Sequence, residues 1–242
     1  MGDSVAAGVG LETASDSSAC GRTNESYPSL AATSLNMQLK SYACSGATLA
    51  AGILGNQTVN NLSVAPQLDQ VLKESTPRLV TLTIGANDIG WTDILTRCIT
   101  SACGSDNDTS EVDTKLQTVK TGIQEIVKRI QSQFKNNTPT FMVMGYYHVF
   151  PESADCTTLA GIEPQEQRWW SAQEDKLDLT MADASSGYGF VNFAPVNFSG
   201  HDICSVSPWI QDLQGRIPFH PNDEGQKVIA DTIAKTYEAL KK

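Results

Sequence analysis

The chain has 242 residues, 40% of them hydrophobic, and 27 acidic side chains against 17 basic ones give a formal charge of -10. That balance excludes a binder of nucleic acid or of anionic membrane surfaces, which needs clustered lysine and arginine. No apolar run approaches the roughly 18 residues of a membrane span, so the expectation is one soluble domain over residues 1–242 acting on neutral substrates.

Gly2-Asp3-Ser4 opens the chain, and small, glycine-rich residues from Val5 to Leu11 follow, as suits a tight turn. A buried strand is expected before such a serine turn, yet only Met1 precedes Gly2, which suggests a first strand truncated there. Tyr27-Pro28 begins a helix running to about Asn36, with proline tolerated in the first turn. Gln38 to Ala43 reads as a short strand ending at Cys44-Ser45-Gly46-Ala47-Thr48. Val64 to Lys73 places Leu68, Val71 and Leu72 at helical spacing, and Thr76-Pro77 stops that helix. Leu79 to Ile84 is the strongest strand signal and runs into Gly85-Ala86-Asn87-Asp88.

Cys98 to Asp113, rich in Asp, Asn and Gly, reads as an exposed excursion. Leu116, Val119, Ile123, Ile126, Val127, Ile130 and Phe134 then mark a long amphipathic helix. Phe141 to Tyr147 is an almost wholly apolar strand, as expected where helices cover both faces of a sheet. A helix from Glu163 to about Ala184 carries Trp169 and Trp170, of which one is expected in the core while the other could line an acyl groove. Phe190 to Phe193 is a short strand, and Asp223 to Leu240 is the closing helix, capped by Asn222. Strands alternating with long helices predict a parallel sheet with right-handed crossovers, whose functional loops gather beyond the carboxyl ends of the strands.

Gly2-Asp3-Ser4, Cys44-Ser45-Gly46-Ala47-Thr48, Gly85-Ala86-Asn87-Asp88 and Phe219-His220-Pro221-Asn222 stand in that order, each where a loop is expected. Together they resemble the four blocks of the SGNH (GDSL) hydrolase superfamily across nearly the whole chain. The resemblance implies a three-layer α/β/α sandwich with a central parallel sheet, flavodoxin-like, and cofactor-free ester hydrolysis through an acyl-serine intermediate. Carried over residue by residue, it makes Ser4 the nucleophile and His220 the base. The Ser4 and Gly46 backbone N–H groups and the Asn87 amide become the oxyanion donors. Asp3 and Asp88 are expected to be structural, accepting backbone hydrogen bonds in their turns.

Many members of the superfamily have an aspartate three residues before the histidine, where this chain has Ile217. The Ile217 carbonyl is therefore the expected acceptor for the Nδ1 proton of His220, with Asp202 or Asp212 as the alternatives. His148 and His201 are expected to be packed or hydrogen-bonded loop residues rather than ligands, and no metal set is seen.

The six cysteines include no CxxC pair, so disulfides and an oxidising compartment are indicated. Chain order suggests Cys20 with Cys44, Cys98 with Cys103 and Cys156 with Cys204, a local pattern resembling that of secreted bacterial lipases of the superfamily. Sequons begin at Asn24, Asn56, Asn61, Asn107, Asn136 and Asn197, which adds a secreted, glycosylated reading. The expected function is a secreted, monomeric carboxylic ester hydrolase (esterase or lipase) acting on a small-molecule or lipid ester. The alternatives are an O-acetyl esterase on acetylated polysaccharide and a lipid- or glycan-binding module without turnover.

Overall fold

The structure is a computed structural model that describes residues 1–15, 19–151, 159 and 161–241. Its elements in chain order are α1 (Ser4–Ala7), α2 (Tyr27–Ser34), β1 (Gln57–Val59), β2 (Leu62–Val64), α3 (Gln67–Val71), β3 (Leu79–Leu82), α4 (Ala86–Ile89), α5 (Trp91–Thr100), α6 (Asp106–Gln133), β4 (Thr140–Met144), α7 (Pro164–Ser185), β5 (Val191–Ala194) and α8 (Asp223–Leu240). The central sheet is parallel, in the order β3-β4-β5, with Val80 opposite Phe141 and Phe141 opposite Val191. Phe141, Met142, Val143 and Met144 are all buried, so both faces of β4 are covered. Helices α6 and α7 pack together as one layer and α2 and α8 as the other, which makes the molecule an α/β sandwich.

Met1 and Gly2 continue the sheet past β3: Gly2 bridges Thr83 in the parallel sense, and the Met1 amine donates to the Thr81 carbonyl at 2.9 Å. This pairing carries Ser4 to the carboxyl end of β3, beside the turn that holds Asn87. The serine and the asparagine thus reach one edge of the sheet from neighbouring strand positions.

Three elements differ from the sequence expectation. Residues 38–43 form no strand. A cleft of about 450 Å³ lies between them and the 76–81 segment, so their backbone has no neighbour to ladder with. The polar stretch 98–113 is mostly helical rather than an excursion. Helix α5 buries Ile94, Leu95 and Cys98 on one face, and α6 already starts at Asp106, where Ser105 and Asp108 form a reciprocal capping box. The third is the β1–β2 hairpin, whose turn residues Asn60 and Asn61 sit at φ 49° and 62°, a left-handed conformation that asparagine tolerates.

Disulfides join Cys20 to Cys44 and Cys98 to Cys103. The expected partner of Cys204, Cys156, lies outside the described residues.

Candidate active site

Ser4 is the first residue of α1, and three contacts fix it there. Asp3 caps the helix, its Oδ1 accepting from the Val5 N–H at 2.9 Å. Gly2 sits at φ +147°, and a Cβ there would lie 2.6 Å from the Thr83 carbonyl oxygen, so only glycine brings the turn this close to β3. The buried Gln67 amide closes a two-bond clamp on Gly2, accepting from its N–H at 2.7 Å and donating to its carbonyl at 2.9 Å.

His220 arrives from the other end of the chain. Phe219 precedes it in the left-handed region at φ 69°, a conformation that costs an L-residue about 1–2 kcal/mol. Two bonds hold Phe219 there: its N–H donates to the Gln211 carbonyl at 2.8 Å, and its carbonyl accepts from Tyr147 Oη at 2.8 Å. The result is a separation of 2.8 Å between Ser4 Oγ and His220 Nε2. His220 Nδ1 lies 3.2 Å from the Pro218 carbonyl, which can only accept. Nδ1 therefore carries the proton, and Nε2 accepts from the serine hydroxyl. Burial lowers the His220 pKa below its ordinary 6.5, opposed by the Pro218 and Ile217 carbonyls. A neutral imidazole with a free lone pair on a serine hydroxyl can take that hydroxyl's proton.

The acceptor for Nδ1 is thus the Pro218 carbonyl, one residue on from the Ile217 carbonyl expected. The Ile217 oxygen instead accepts the His220 backbone N–H at 3.4 Å, because the left-handed turn at Phe219 points successive carbonyls in different directions. Neither alternative carboxylate bonds to the ring. Asp202 caps Cys204 and Asp212 caps Gln214, each two residues along its own loop.

Three N–H groups expected as donors are not fully used within the protein. The Ser4 and Gly46 backbone N–H groups have no protein acceptor among the described residues. Asn87 Nδ2 uses one hydrogen on the Ala47 carbonyl at 2.9 Å and has a second to give. The loops bearing these donors are tied to each other: Cys44 N–H donates to the Gly2 carbonyl at 3.0 Å, and Leu49 N–H to Asp88 Oδ1 at 2.9 Å. Asp88 thereby joins two loops rather than only its own turn, and burial raises its pKa to about 6.

Tyr146 is the component that sequence reading missed. Its hydroxyl donates to Asp3 Oδ2 and accepts from the Ala86 N–H at 3.3 Å, so one phenol spans the turn of Ser4 and the turn of Asn87. A tyrosine at the end of an apolar strand gives no sequence sign of this, since both partners come from other strands. Burial raises the Asp3 pKa to about 7, against the Tyr146 and Val5 hydrogen bonds that pull it down.

A largely apolar pocket of about 60 Å³ opens beside the Ser4–His220 pair. Trp91, Trp169, Trp170, Ile94 and Leu177 form much of its wall. Trp91 lies edge-on to His220 at 5.9 Å and to Trp170 at 5.8 Å. Trp170 is buried, Trp169 is half-buried, and both reach the pocket. The other histidines lie apart from the pair: His148 Nε2 is 2.9 Å from Asp175 Oδ1, and His201 stacks on Trp209 at 3.6 Å. Among the described residues no group of His, Cys, Asp and Glu could hold a metal ion.

Comparison with known proteins gives a consistent result. The model of the GDSL-like Lipase/Acylhydrolase family matches residues 1–228. A lipase of Streptomyces rimosus is 30% identical over 235 residues, covering 93% of this chain and 81% of the relative. The crystal structure of an extracellular lipase from Streptomyces rimosus superposes with a TM-score of 0.68 at 26% identity, covering 97% of this chain and 96% of the other. Phospholipase A1 from Streptomyces albidoflavus NA297 shares the fold with a TM-score of 0.67 at 24% identity, over 99% and 96% of the two chains.

Proposed function

The chain belongs to the GDSL-like lipase/acylhydrolase family and is a carboxylic ester hydrolase, and we propose that Ser4 is its nucleophile and His220 its general base. The carrying observation is the 2.8 Å contact between Ser4 Oγ and His220 Nε2 at the mouth of an apolar pocket. His220 takes the hydroxyl proton as Ser4 Oγ attacks the ester carbonyl, and then returns it to the departing alcohol. Water attacks the acyl-serine in turn, with the same imidazole as base, and frees the acid. The negative charge on the carbonyl oxygen is met by the Ser4 and Gly46 N–H groups and the spare N–H of Asn87, donors that need no rearrangement when the charge forms. The Pro218 carbonyl keeps the imidazole in the needed tautomer and, as a dipole, stabilises the imidazolium less than a carboxylate would.

The substrate we assign is a neutral, lipid-like acyl ester. A pocket whose wall is mostly tryptophan and aliphatic side chains favours an alkyl chain over a sugar, whose many hydroxyls would outnumber the polar groups that could replace their water. Secretion is supported by the two disulfides and by likeness to an extracellular lipase. The six sequon asparagines are all exposed, as acceptors of glycan must be.

The test is turnover of p-nitrophenyl esters from acetyl to long acyl chains by wild type and by Ser4→Ala. Expected is activity that rises beyond acetyl in the wild type and falls at least about 1000-fold in the variant. An optimum at acetyl would replace lipid with acetylated substrates. Equal rates for a folded Ser4→Ala would refute the nucleophile.

A further inference from the structure

The acceptor for His220 Nδ1 is the Pro218 carbonyl, two residues back in the same turn. Ring and acceptor therefore move together, and their placement against Ser4 depends on what ties that turn to the rest of the molecule. Two peptide units flank Phe219. The unit on its amino side supplies the Pro218 carbonyl, and its N–H donates to the Gln211 carbonyl at 2.8 Å. The unit on its carboxyl side leads straight into His220. Its N–H reaches the Ile217 carbonyl at a long 3.4 Å, while its carbonyl accepts from Tyr147 Oη at 2.8 Å and from no other donor among the described residues.

These partners differ in origin. Gln211 and Ile217 belong to the histidine's own loop, and the Gln211 N–H also donates to the His220 carbonyl at 2.7 Å, so they brace the turn from within. Tyr147 comes from the sheet, three residues past the end of β4. The preceding N–H, that of Tyr146, donates to Asp178 Oδ1 on α7 at 2.8 Å. The Tyr147 ring is buried and stacks on Phe198 with centroids 4.6 Å apart. A phenol locked in this way aims its O–H at one place. Burial raises its pKa well above the ordinary phenol range, so it stays a donor wherever the imidazole is a base. Phe219, at φ 69°, is in a conformation that persists only where its surroundings impose it. Without the hydroxyl, its buried carbonyl would be left unpaired, and the peptide unit would turn toward another partner and carry the imidazole with it.

We propose that Tyr147 is a positioning residue for ester hydrolysis: its hydroxyl holds the peptide unit that bears His220 and so keeps Nε2 on Ser4 Oγ. This inference rests on the assignment of Ser4 and His220 and adds to it the group that fastens the histidine's turn to the sheet. With Tyr146 on the Ser4 and Asn87 turns, two consecutive phenols then serve both halves of the pair.

The experiment measures kcat and KM of Tyr147→Phe on a p-nitrophenyl ester that the wild type turns over, with Ser4→Ala and His220→Ala beside it. Phenylalanine keeps the stack on Phe198 and deletes only the O–H. We expect kcat to fall about 10- to 100-fold while KM changes less than about twofold. The Nδ1 proton resonance of His220, identified by its absence from His220→Ala, should weaken or vanish in Tyr147→Phe as the Pro218 contact loosens. Added to His220→Ala, the substitution should lower kcat no further, since no imidazole remains to be placed. An unchanged kcat, a loss of kcat with the Nδ1 resonance intact, or a further loss in the His220→Ala background would each overturn the role of Tyr147 alone. Equal activity of wild type and Ser4→Ala would overturn the Ser4–His220 assignment and the role of Tyr147 with it.

Discussion

His220 reaches its working state through burial and backbone carbonyls rather than through a carboxylate. Its lowered pKa means that protonation, which removes the base, sets in only below the usual imidazole range. The acid limb of kcat/KM should therefore have its midpoint below pH 6.5, with a plateau above; a midpoint above that value would contradict the geometry described. Asn87→Ala should lower kcat by about 100- to 1000-fold with little change in KM, because its free N–H matters only when the oxyanion forms. Tyr146→Phe removes the phenol that joins the Ser4 and Asn87 turns. We expect kcat to fall about tenfold or more while binding is retained, and a variant that only lost stability, with kcat unchanged, would deny Tyr146 a positioning role.

At the scale of elements, the site depends on loops that are fastened rather than on long strands. The Cys20–Cys44 bridge closes a 24-residue separation and ends two residues before Gly46. Its removal in Cys20→Ser/Cys44→Ser should cost about 2–4 kcal/mol in denaturant unfolding. The polar stretch 98–113 shows what composition conceals: Asp, Asn and Gly suggest a loop, yet Ser105 and Asp108 are a capping pair that starts α6 at Asp106. The spacing of Ile94, Leu95 and Cys98 likewise held the sign of α5. For residues 38–43 the reverse applies, since a short extended-looking segment becomes a strand only when a neighbouring backbone is within reach, and here a cleft intervenes.

Across the whole molecule, buried acids shape the pH dependence of stability. Burial raises Asp3 and Asp178 to about 7, Asp88 to about 6, and Glu174 further. The folded state therefore holds protons that the unfolded chain releases near pH 4, and these groups make stability fall as pH rises from about 4 to about 7. The Met1 amine, lowered to about 5, and His220 act in the opposite sense, since the unfolded chain binds their protons first. Asp178→Asn isolates one contribution while keeping the Oδ1 that accepts the Tyr146 N–H. Relative to wild type it should gain stability between pH 4 and 7, on the order of a few kcal/mol, and a difference independent of pH would show that Asp178 titrates normally.

The sequence by itself determined the fold class, the four blocks and the pairing of a serine at one end with a histidine at the other. The fold class rests on local chemistry, apolar strands and helical spacing, while the four blocks and the serine–histidine pairing rest on the resemblance to the SGNH superfamily. Only the tertiary structure decided which carbonyl serves His220 and which phenol joins the two turns. Each of those contacts crosses a large sequence separation or turns on the backbone angle of a single residue such as Phe219, and neither is recorded in the periodicity of side chains along the chain.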